Sequence, residues 1–514
     1  MCGIAAILPK SNTTKFDIMP LLNAIEHRGD TLPNFKILGN AILGNVRLKI
    51  VDRPFGEQPF YNEDRTIAVV FNGEIYNYKK LKSELIENGH QFKTDCDTEI
   101  LVHLYEQYGV NMTTHLDGMF AFVIYDSINQ NYFAARDNFG IKPLYYCEDE
   151  NAIYFSSELK SFIHLGVTEF KEIPPANYLT RNGLTQYRKF ETYPLRNFPL
   201  QEETTLVKIL VEEAVKKRVQ TDLPVGVFLS GGIDSTIVFL LARKYHSNVT
   251  AIIIGEDTAE DVIHAKKLCT ENNYKFKHIN ISKSEILNSV PDIIYSIESY
   301  EPNPVRGSAI SYPLSKAAKD LGIKIVLCGE GSDEIFGGYG DFIFAETEEV
   351  FQSITNNLLA DLYRTQLLRV DRTGMAFNVE VREPFMDIAL VDTAIKILPK
   401  YKVAKLKGRT TTKYILREAF KDILPDHIYS RDKMTLMEGA GADSVEVGKG
   451  MFYENAQQKL SEIEFEKIKQ SCDACKLNNR EEAFYFSIYS KFYKRAKFNI
   501  PRTFNAKVEI NKNS

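Results

Sequence analysis

The 514-residue chain has no tryptophan, which by itself excludes nothing. Its other shortages exclude more. No apolar run approaches the roughly 18–20 residues of a membrane-spanning helix, so a soluble chain without membrane partners is expected. Neither sign of charge dominates. Against 68 Asp+Glu stand 63 Lys+Arg, a net charge of −5, which removes the electrostatic reason for general nucleic-acid or anionic-membrane binding. Cysteines are few and odd in number, seven in all, which argues for reduced thiols in a cytoplasmic compartment. The segment Met1–Lys10 lacks a basic leader and a small-residue cleavage site, so secretion is not expected. Cys472 and Cys475 form a lone CxxC two ligands short of a zinc site and read as packed or surface thiols. With 44% apolar and 25% charged residues, a disordered or low-complexity chain is excluded.

What is present changes character along the chain. This length predicts roughly two to four domains. Up to residue 190, short apolar or alternating strands recur at Ala41–Val51, Thr66–Phe71, Phe120–Tyr125, Tyr132–Ala135 and Ala152–Phe155. Two helices are expected among them, Tyr78–Asn88 with Leu81, Leu85 and Ile86 on one face, and Thr98–Tyr108 after Asp97. An α+β domain of mainly antiparallel strands follows, over 2–190. A proline-bearing linker is expected over 191–203. From 204 to 500, a buried strand Val225–Leu229 and strands Thr250–Ile254, Phe276–Ile281 and Ile323–Leu327 alternate with helices Ser235–Lys244, Glu260–Glu271 and Ser308–Leu321. That rhythm predicts an α/β parallel sheet covered on both faces, with a mostly helical part after about 345 and a polar tail from 501 to 514.

The chemistry-bearing residues begin at the second position. Removal of Met1 would expose Cys2 as a terminal residue whose own α-amine can act as general base, with an ordinary pKa of about 7.7–8.0. Arg47-Leu48-Lys49-Ile50-Val51-Asp52, Phe71-Asn72-Gly73-Glu74-Ile75-Tyr76-Asn77 and Asp97-Thr98-Glu99 follow in that order. Each has a plain alternative: Asn72-Gly73 is a strong hairpin-turn signal, Asp97 suits a helix N-cap, and Arg47 could reach out of its strand to solvent. Together with Met1-Cys2-Gly3-Ile4 they resemble the glutaminase domain of class II, N-terminal nucleophile amidotransferases. The resemblance implies a layered fold and attack of Cys2 on the side-chain amide of glutamine. It assigns the oxyanion to Asn72 and Gly73, and glutamine binding to Arg47, Leu48, Lys49, Ile50, Val51, Asn72, Gly73, Glu74 and Asp97. His27-Arg28-Gly29-Asp30 departs from the family by lacking a proline, so a locally altered turn is expected there.

In the second half, strand Val225–Leu229 runs into Ser230-Gly231-Gly232-Ile233-Asp234-Ser235 and then a helix. Two glycines, two hydroxyls and a helix N-terminus suit an anion, and Asp234 suits Mg²⁺. No lysine lies in the loop, so it is not a GxxxxGK[ST] phosphate loop. It resembles the pyrophosphate loop of ATP pyrophosphatases, which adenylate a substrate. Gly439-Ala440-Gly441 and Gly448-Lys449-Gly450 follow no strand and read as loops. Lys491, Lys494, Arg495 and Lys497 read as a solvated helix face rather than a nucleic-acid site.

The two halves together resemble glutamine-hydrolysing asparagine synthetases over nearly the whole chain. Further matching stretches are Ala135–Tyr146, Phe155–Lys160, Gly329–Tyr339, Val379–Asp387 and Lys413–Arg417. The resemblance implies glutamine, aspartate and ATP as substrates, Mg²⁺, a β-aspartyl-AMP intermediate, a homodimer and a sheltered ammonia passage. It places Glu330 and Lys413 at the chemistry, Asp333 as a second magnesium ligand, and Leu229, Ser230, Gly231, Gly232, Asp234, Ser235, Ile254, Cys328 and Gly329 at ATP. Without it, Glu330 reads equally as a loop carboxylate and Lys413 as a surface helix residue. Glu298-Ser299-Tyr300-Glu301, Val305-Arg306-Gly307-Ser308 and Arg431-Asp432-Lys433 favour aspartate as acceptor; relatives that amidate or cyclise other carboxylates are the alternative.

Overall fold

A computed structural model describes residues 1–11, 15–163, 165–167, 169–190, 193–431, 439–440, 449–471 and 477–493. They divide into two compact units, the first built on Met1–Lys189 and the second on the bulk of Phe190–Phe492. Among the described residues no helix is long and apolar enough to cross a membrane.

The first unit holds twelve strands: β1 (Cys2–Pro9), β2 (Asn34–Leu38), β3 (Ala41–Arg47), β4 (Phe60–Tyr61), β5 (Ile67–Ile75), β6 (Gly118–Asp126), β7 (Asn131–Arg136), β8 (Tyr145–Glu148), β9 (Ala152–Ser156), β10 (Lys171–Glu172), β11 (Asn177–Thr180) and β12 (Gly183–Gln186). They form two antiparallel sheets, ordered β10-β8-β9-β1-β3-β2 and β12-β11-β7-β6-β5-β4. Period-two alternation sorts the side chains into layers. Cys2, Ile4, Ala6 and Leu8 of β1 meet Ala68, Val70, Ala121 and Val123 between the sheets. Ala5 and Ile7 point the other way, onto Leu21, Leu22 and Phe162 of short helices. Val69, Phe71, Phe120 and Phe122 pack against Leu81, Leu85, Ile100, Leu101 and Leu104. The order is therefore helix, sheet, sheet, helix.

Several boundaries moved for physical reasons. Helix Tyr78–Glu87 buries Leu81 and Leu85, but Ile86 is 51% exposed because one residue is 100° of helix turn, enough to leave the buried stripe. The second helix starts at Ile100 with Glu99, not Asp97, at its N-cap. Asn72-Gly73 is no turn: β5 continues through both, with Asn72 opposite Ala121 and Gly73 opposite Phe120. A Cβ on Gly73 would come within 2.1 Å of the Met119 carbonyl oxygen, so glycine answers close strand approach here.

The second unit carries β13 (Val225–Phe228), β14 (Val249–Ile254), β15 (Phe276–Ile279), β16 (Ile325–Leu327) and β17 (Glu380–Arg382) in one parallel sheet ordered β15-β14-β13-β16-β17. Every residue of β13, β14, β16 and β17 is buried, as covered faces require. An apolar-run criterion cannot find β17, a buried strand flanked by charge. Its Arg382 Nε donates to Glu380 Oε1 at 2.6 Å and a second nitrogen to the Arg218 carbonyl at 2.7 Å, so burial leaves these charges paired. Inside the segment expected as linker, helix Leu200–Arg218 already begins after Pro199, with Glu202 and Glu203 complementing its first turn. Helix Pro302–Asp320 starts six residues ahead of Ser308, since Pro302 and Pro304 fall in the first turn where the missing N–H is harmless. The helical C-terminal part includes Gly450–Lys459, Glu462–Ser471 and Arg480–Phe492, so Gly450 opens a helix rather than a loop. Asp432, Lys433, Gly441, Gly448, Cys472, Cys475, Lys494, Arg495, Lys497 and the 501–514 tail lie outside the described residues; Lys491 is exposed.

Candidate active sites

At the start of β1, strand pairing sets Cys2 opposite Arg47. The Cys2 backbone nitrogen donates to Asn72 Oδ1 at 3.0 Å. Asn72 is 0% exposed, and its Nδ2 has no hydrogen-bond partner. Buried amide donors are rarely left unpaired, and this one sits on a side chain held at the cysteine. Burial pushes the Cys2 thiol up, opposed chiefly by the terminal ammonium and then by the Leu48 N–H and Arg47. The Leu48 N–H also bonds the Met1 carbonyl at 2.9 Å.

Neighbouring residues hold this arrangement. Gln58 donates to the Phe71 carbonyl at 3.0 Å, accepts the Phe71 N–H at 2.7 Å, and brings Nε2 within 3.6 Å of Cys2 Sγ. Arg28 donates to the Cys2 carbonyl at 3.2 Å and to Glu158 Oε1 at 2.6 Å; Lys160 pairs with the other Glu158 oxygen at 2.6 Å. Gln58, Arg28 and Glu158 were not singled out in the sequence. Gln58 lies in an undistinguished stretch, whereas Glu158 stood inside the matching stretch Phe155–Lys160 and Arg28 inside the run that departs from the family. The Gly29 turn packs on Arg47: a Cβ there would lie 2.7 Å from its carbonyl oxygen. Arg47 is buried rather than solvent-directed, and its guanidinium donates to the carbonyls of Val51, Asp52 and Arg53 at 2.7, 2.9 and 3.2 Å. Asp97 accepts the Ile75 N–H at 3.0 Å, which ties it to the strand carrying Asn72 and Glu74.

In the second unit, all five strands end at one sheet edge. Because β13 has β14 on one side and β16 on the other, the loops after β13 and β16 diverge there, where open α/β sheets bind ligands. Leu229 and Ser230 follow β13, Ile254 closes β14, and Cys328, Gly329 and Glu330 follow β16. The Ser230 and Ser235 hydroxyls lie 3.1 Å apart, and the Gly232 N–H reaches Ser230 Oγ at 3.3 Å, curling the loop onto the N-terminus of helix Ile233–Tyr245. Gly231 has φ +71°, and a Cβ there would meet the Asp261 carbonyl at 2.7 Å, so the loop needs glycine.

Charge converges beside this loop. Lys413 is 1% exposed, not a surface residue, and its Nζ lies 2.5 Å from Asp234 Oδ2 and 2.8 Å from Asp333 Oδ1. Ser332 donates to the other Asp234 oxygen at 2.6 Å. Gly338 permits the packing, because a Cβ would fall 1.9 Å from Asp333 Oδ1 and 2.3 Å from Lys413 Cε. Glu330 pairs with Arg369 at 2.5 Å. Arg306, by contrast, forks onto Glu481 at 2.6 and 2.7 Å.

Glu334 lies next along. Burial first, then Asp333, raises its carboxyl to about 7, and the Tyr339 hydroxyl donates to it at 2.6 Å. An acid raised on folding binds its proton more tightly folded than unfolded. Its stabilising share is therefore fully present below about 4.5 and is lost as pH rises through about 7. Glu334→Gln is expected to flatten the fall in thermal stability between those values, read as Tm against pH; an unchanged slope would contradict the burial argument.

Comparison with known proteins agrees with this division. The glutamine amidotransferase domain family model matches residues 1–200, and the asparagine synthase model matches 206–350 and 344–467. Asparagine synthetase [glutamine-hydrolyzing] 2 of Arabidopsis thaliana is 32% identical over 516 residues, spanning 96% of this chain and 88% of the relative. The glutamine-hydrolysing asparagine synthetase of Sandersonia aurantiaca is 34% identical over 465 residues, spanning 86% and 87%. That of Asparagus officinalis is 33% identical over 467 residues, spanning 86% and 78%. The chain, matched by the amidotransferase model in its first part and the asparagine synthase model in its second, belongs to the glutamine-hydrolysing asparagine synthetase family.

Proposed function

We propose that this enzyme makes L-asparagine from L-aspartate, using ammonia released from L-glutamine and splitting ATP to AMP and pyrophosphate. The observation that carries the reading is the unpaired, fully buried Asn72 Nδ2 on the side chain that holds the Cys2 nitrogen. A buried donor beside a nucleophile suits an oxyanion that exists only during reaction.

With Met1 removed, the Cys2 nitrogen becomes the α-amine and takes the thiol proton as sulfur attacks the glutamine amide. The same proton passes to the departing ammonia, leaving a glutamyl thioester that water hydrolyses. Arg47 and Asp97 would take the α-carboxylate and α-ammonium of glutamine, within the binding set Leu48–Val51, Gly73 and Glu74. Asn72→Ala is expected to lower kcat for glutamine hydrolysis by ~10²–10³ with little change in KM, because the lost donor acts on the transition state.

In the second unit, Ser230–Ser235 would cradle the pyrophosphate and backbone groups of Leu229, Ile254, Cys328 and Gly329 the adenosine. Two carboxylates already turned toward one cation position fit Mg²⁺, so Asp234 and Asp333 would hold it, and it would neutralise phosphate charge. The β-carboxylate of aspartate attacks the α-phosphorus, pyrophosphate leaves, and Lys413 steadies the phosphoryl oxygens. Ammonia then displaces AMP, and Glu330, oriented by Arg369, accepts the proton that the adduct sheds. The same reading takes the enzyme as a cytoplasmic homodimer.

Product analysis on Met1-processed enzyme with glutamine, MgATP and aspartate tests the whole. Asparagine and glutamate in equal amounts, with AMP and pyrophosphate, are expected. Glutamate alone, without aspartate-dependent pyrophosphate, would move the acceptor to another carboxylate.

A further inference from the structure

A second cluster lies apart from the Cys2 site on the first unit. Glu63, in the loop after β4, His90, in the turn after helix Tyr78–Glu87, and His103 and Glu106, on helix Ile100–Tyr108, each offer one ligand atom, all within 4.8 Å of one another. His103 Nδ1 lies 3.5 Å from Glu63 Oε2 and 3.4 Å from Glu106 Oε2. His90 Nδ1 lies 3.7 Å from Glu106 Oε2, and its 3.9 Å contact with Glu63 is to the other carboxylate oxygen, Oε1. Four donors each about 2.0–2.1 Å from one tetrahedral ion would stand about 3.3 Å apart. The contacts of 3.4, 3.5 and 3.7 Å lie near that value, and the outer limit of 4.8 Å requires the four side chains to draw together around the ion.

An ordinary ion-pair cluster does not account for His103. The residue is 1% exposed, yet neither ring nitrogen has a hydrogen bond. A protonated imidazole paired with a carboxylate would close to roughly 2.7–2.9 Å, whereas Nδ1 faces two carboxylate oxygens at 3.4 and 3.5 Å. Around the four donors, outer contacts turn the remaining atoms outward. His90 Nε2 meets Gln107 Oε1 at 3.3 Å, which suits Nε2–H and leaves the Nδ1 lone pair facing in. Asn62 Nδ2 donates to Glu106 Oε1 at 2.8 Å, and the Gln91 N–H to Glu63 Oε1 at 3.0 Å. Such outer partners are what orient metal ligands. Phe92 packs on His103, with ring centroids 4.3 Å apart, while the Glu63 and Glu106 side chains are partly exposed to solvent.

We propose that Glu63, His90, His103 and Glu106 bind one zinc-class divalent cation. Two imidazoles and two carboxylates favour a borderline metal over magnesium. Four protein donors close the coordination shell, so the ion is structural: it ties the loop after β4 and the turn at His90 to the helix that begins just after Asp97.

The test uses the full-length chain, stripped by chelator and then titrated with ZnCl₂ in excess Mg²⁺. One equivalent should bind and raise Tm, and His90→Gln or Glu63→Gln should weaken binding by at least ~100-fold. No uptake by the wild type, or uptake of unchanged affinity in both variants, would overturn the proposal. X-ray absorption on the zinc-loaded wild type decides without variants: a nitrogen and oxygen shell at about 2.0–2.1 Å supports the site, and sulfur at about 2.3 Å overturns it.

Discussion

Cys2→Ala is expected to reduce glutamine hydrolysis by on the order of 10⁴-fold or more, the scale on which enzymes lose rate when their nucleophile is removed. Cys96, the next thiol along the chain, offers no substitute. Cys96 is buried, and burial with Asp97 beside it pushes its thiol beyond reach of ionisation near neutrality. Asparagine formation from added ammonium chloride should persist near the parent rate, because Asp234, Lys413 and Asp333 belong to the other unit. Measuring glutamate and asparagine side by side, with each nitrogen source, separates the two half-reactions. Retained glutaminase activity in the variant would remove Cys2 from the chemistry. Loss of the ammonia-dependent rate as well would mean that the substitution had disturbed more than the nucleophile.

Lys413→Ala should have the complementary effect: asparagine formation and pyrophosphate release fall by ~10²–10³ with either nitrogen source, while glutamine hydrolysis survives. The buried ammonium lies 2.5 Å from Asp234 and 2.8 Å from Asp333, so its removal leaves two carboxylates facing each other without a counter-charge. Breaking a buried pair in this way costs about 3–5 kcal/mol of stability. A fall in Tm is therefore expected too, and activity should be assayed well below it. Lys413→Met, which keeps the stem and removes only the charge, should reproduce the rate loss. If either variant released pyrophosphate at the parent rate, Lys413 would be a structural counter-ion and nothing more.

How far the sequence led can be judged residue by residue. Cys2, Asn72 and the Ser230–Ser235 loop were legible because each is a short run whose chemistry depends on local spacing. The plain alternatives were settled by strand pairing, hydrogen bonding and burial. Asn72-Gly73 could have been a hairpin until β5 was seen to run through it beside β6. Asp97 could have capped a helix until its carboxylate was found on the Ile75 N–H. Lys413 could have been a surface residue until 1% exposure and two carboxylates replaced that reading. Gln58, Arg369 and β17 were missed because their partners lie far along the chain, or because the strand carries charges that cancel only once folded.

By itself, the sequence determined two units of different class and the family, and it marked Cys2 and Ser230–Ser235 as the candidates for nucleophile and phosphate loop. Periodicity, glycine placement and contiguous motifs are properties of neighbouring residues and need no fold to be read. Only the tertiary structure decided which donors remain unpaired, which charges pair, and that Glu63, His90, His103 and Glu106 meet. Burial and pairing are set by residues distant in the chain, and no local pattern carries that information.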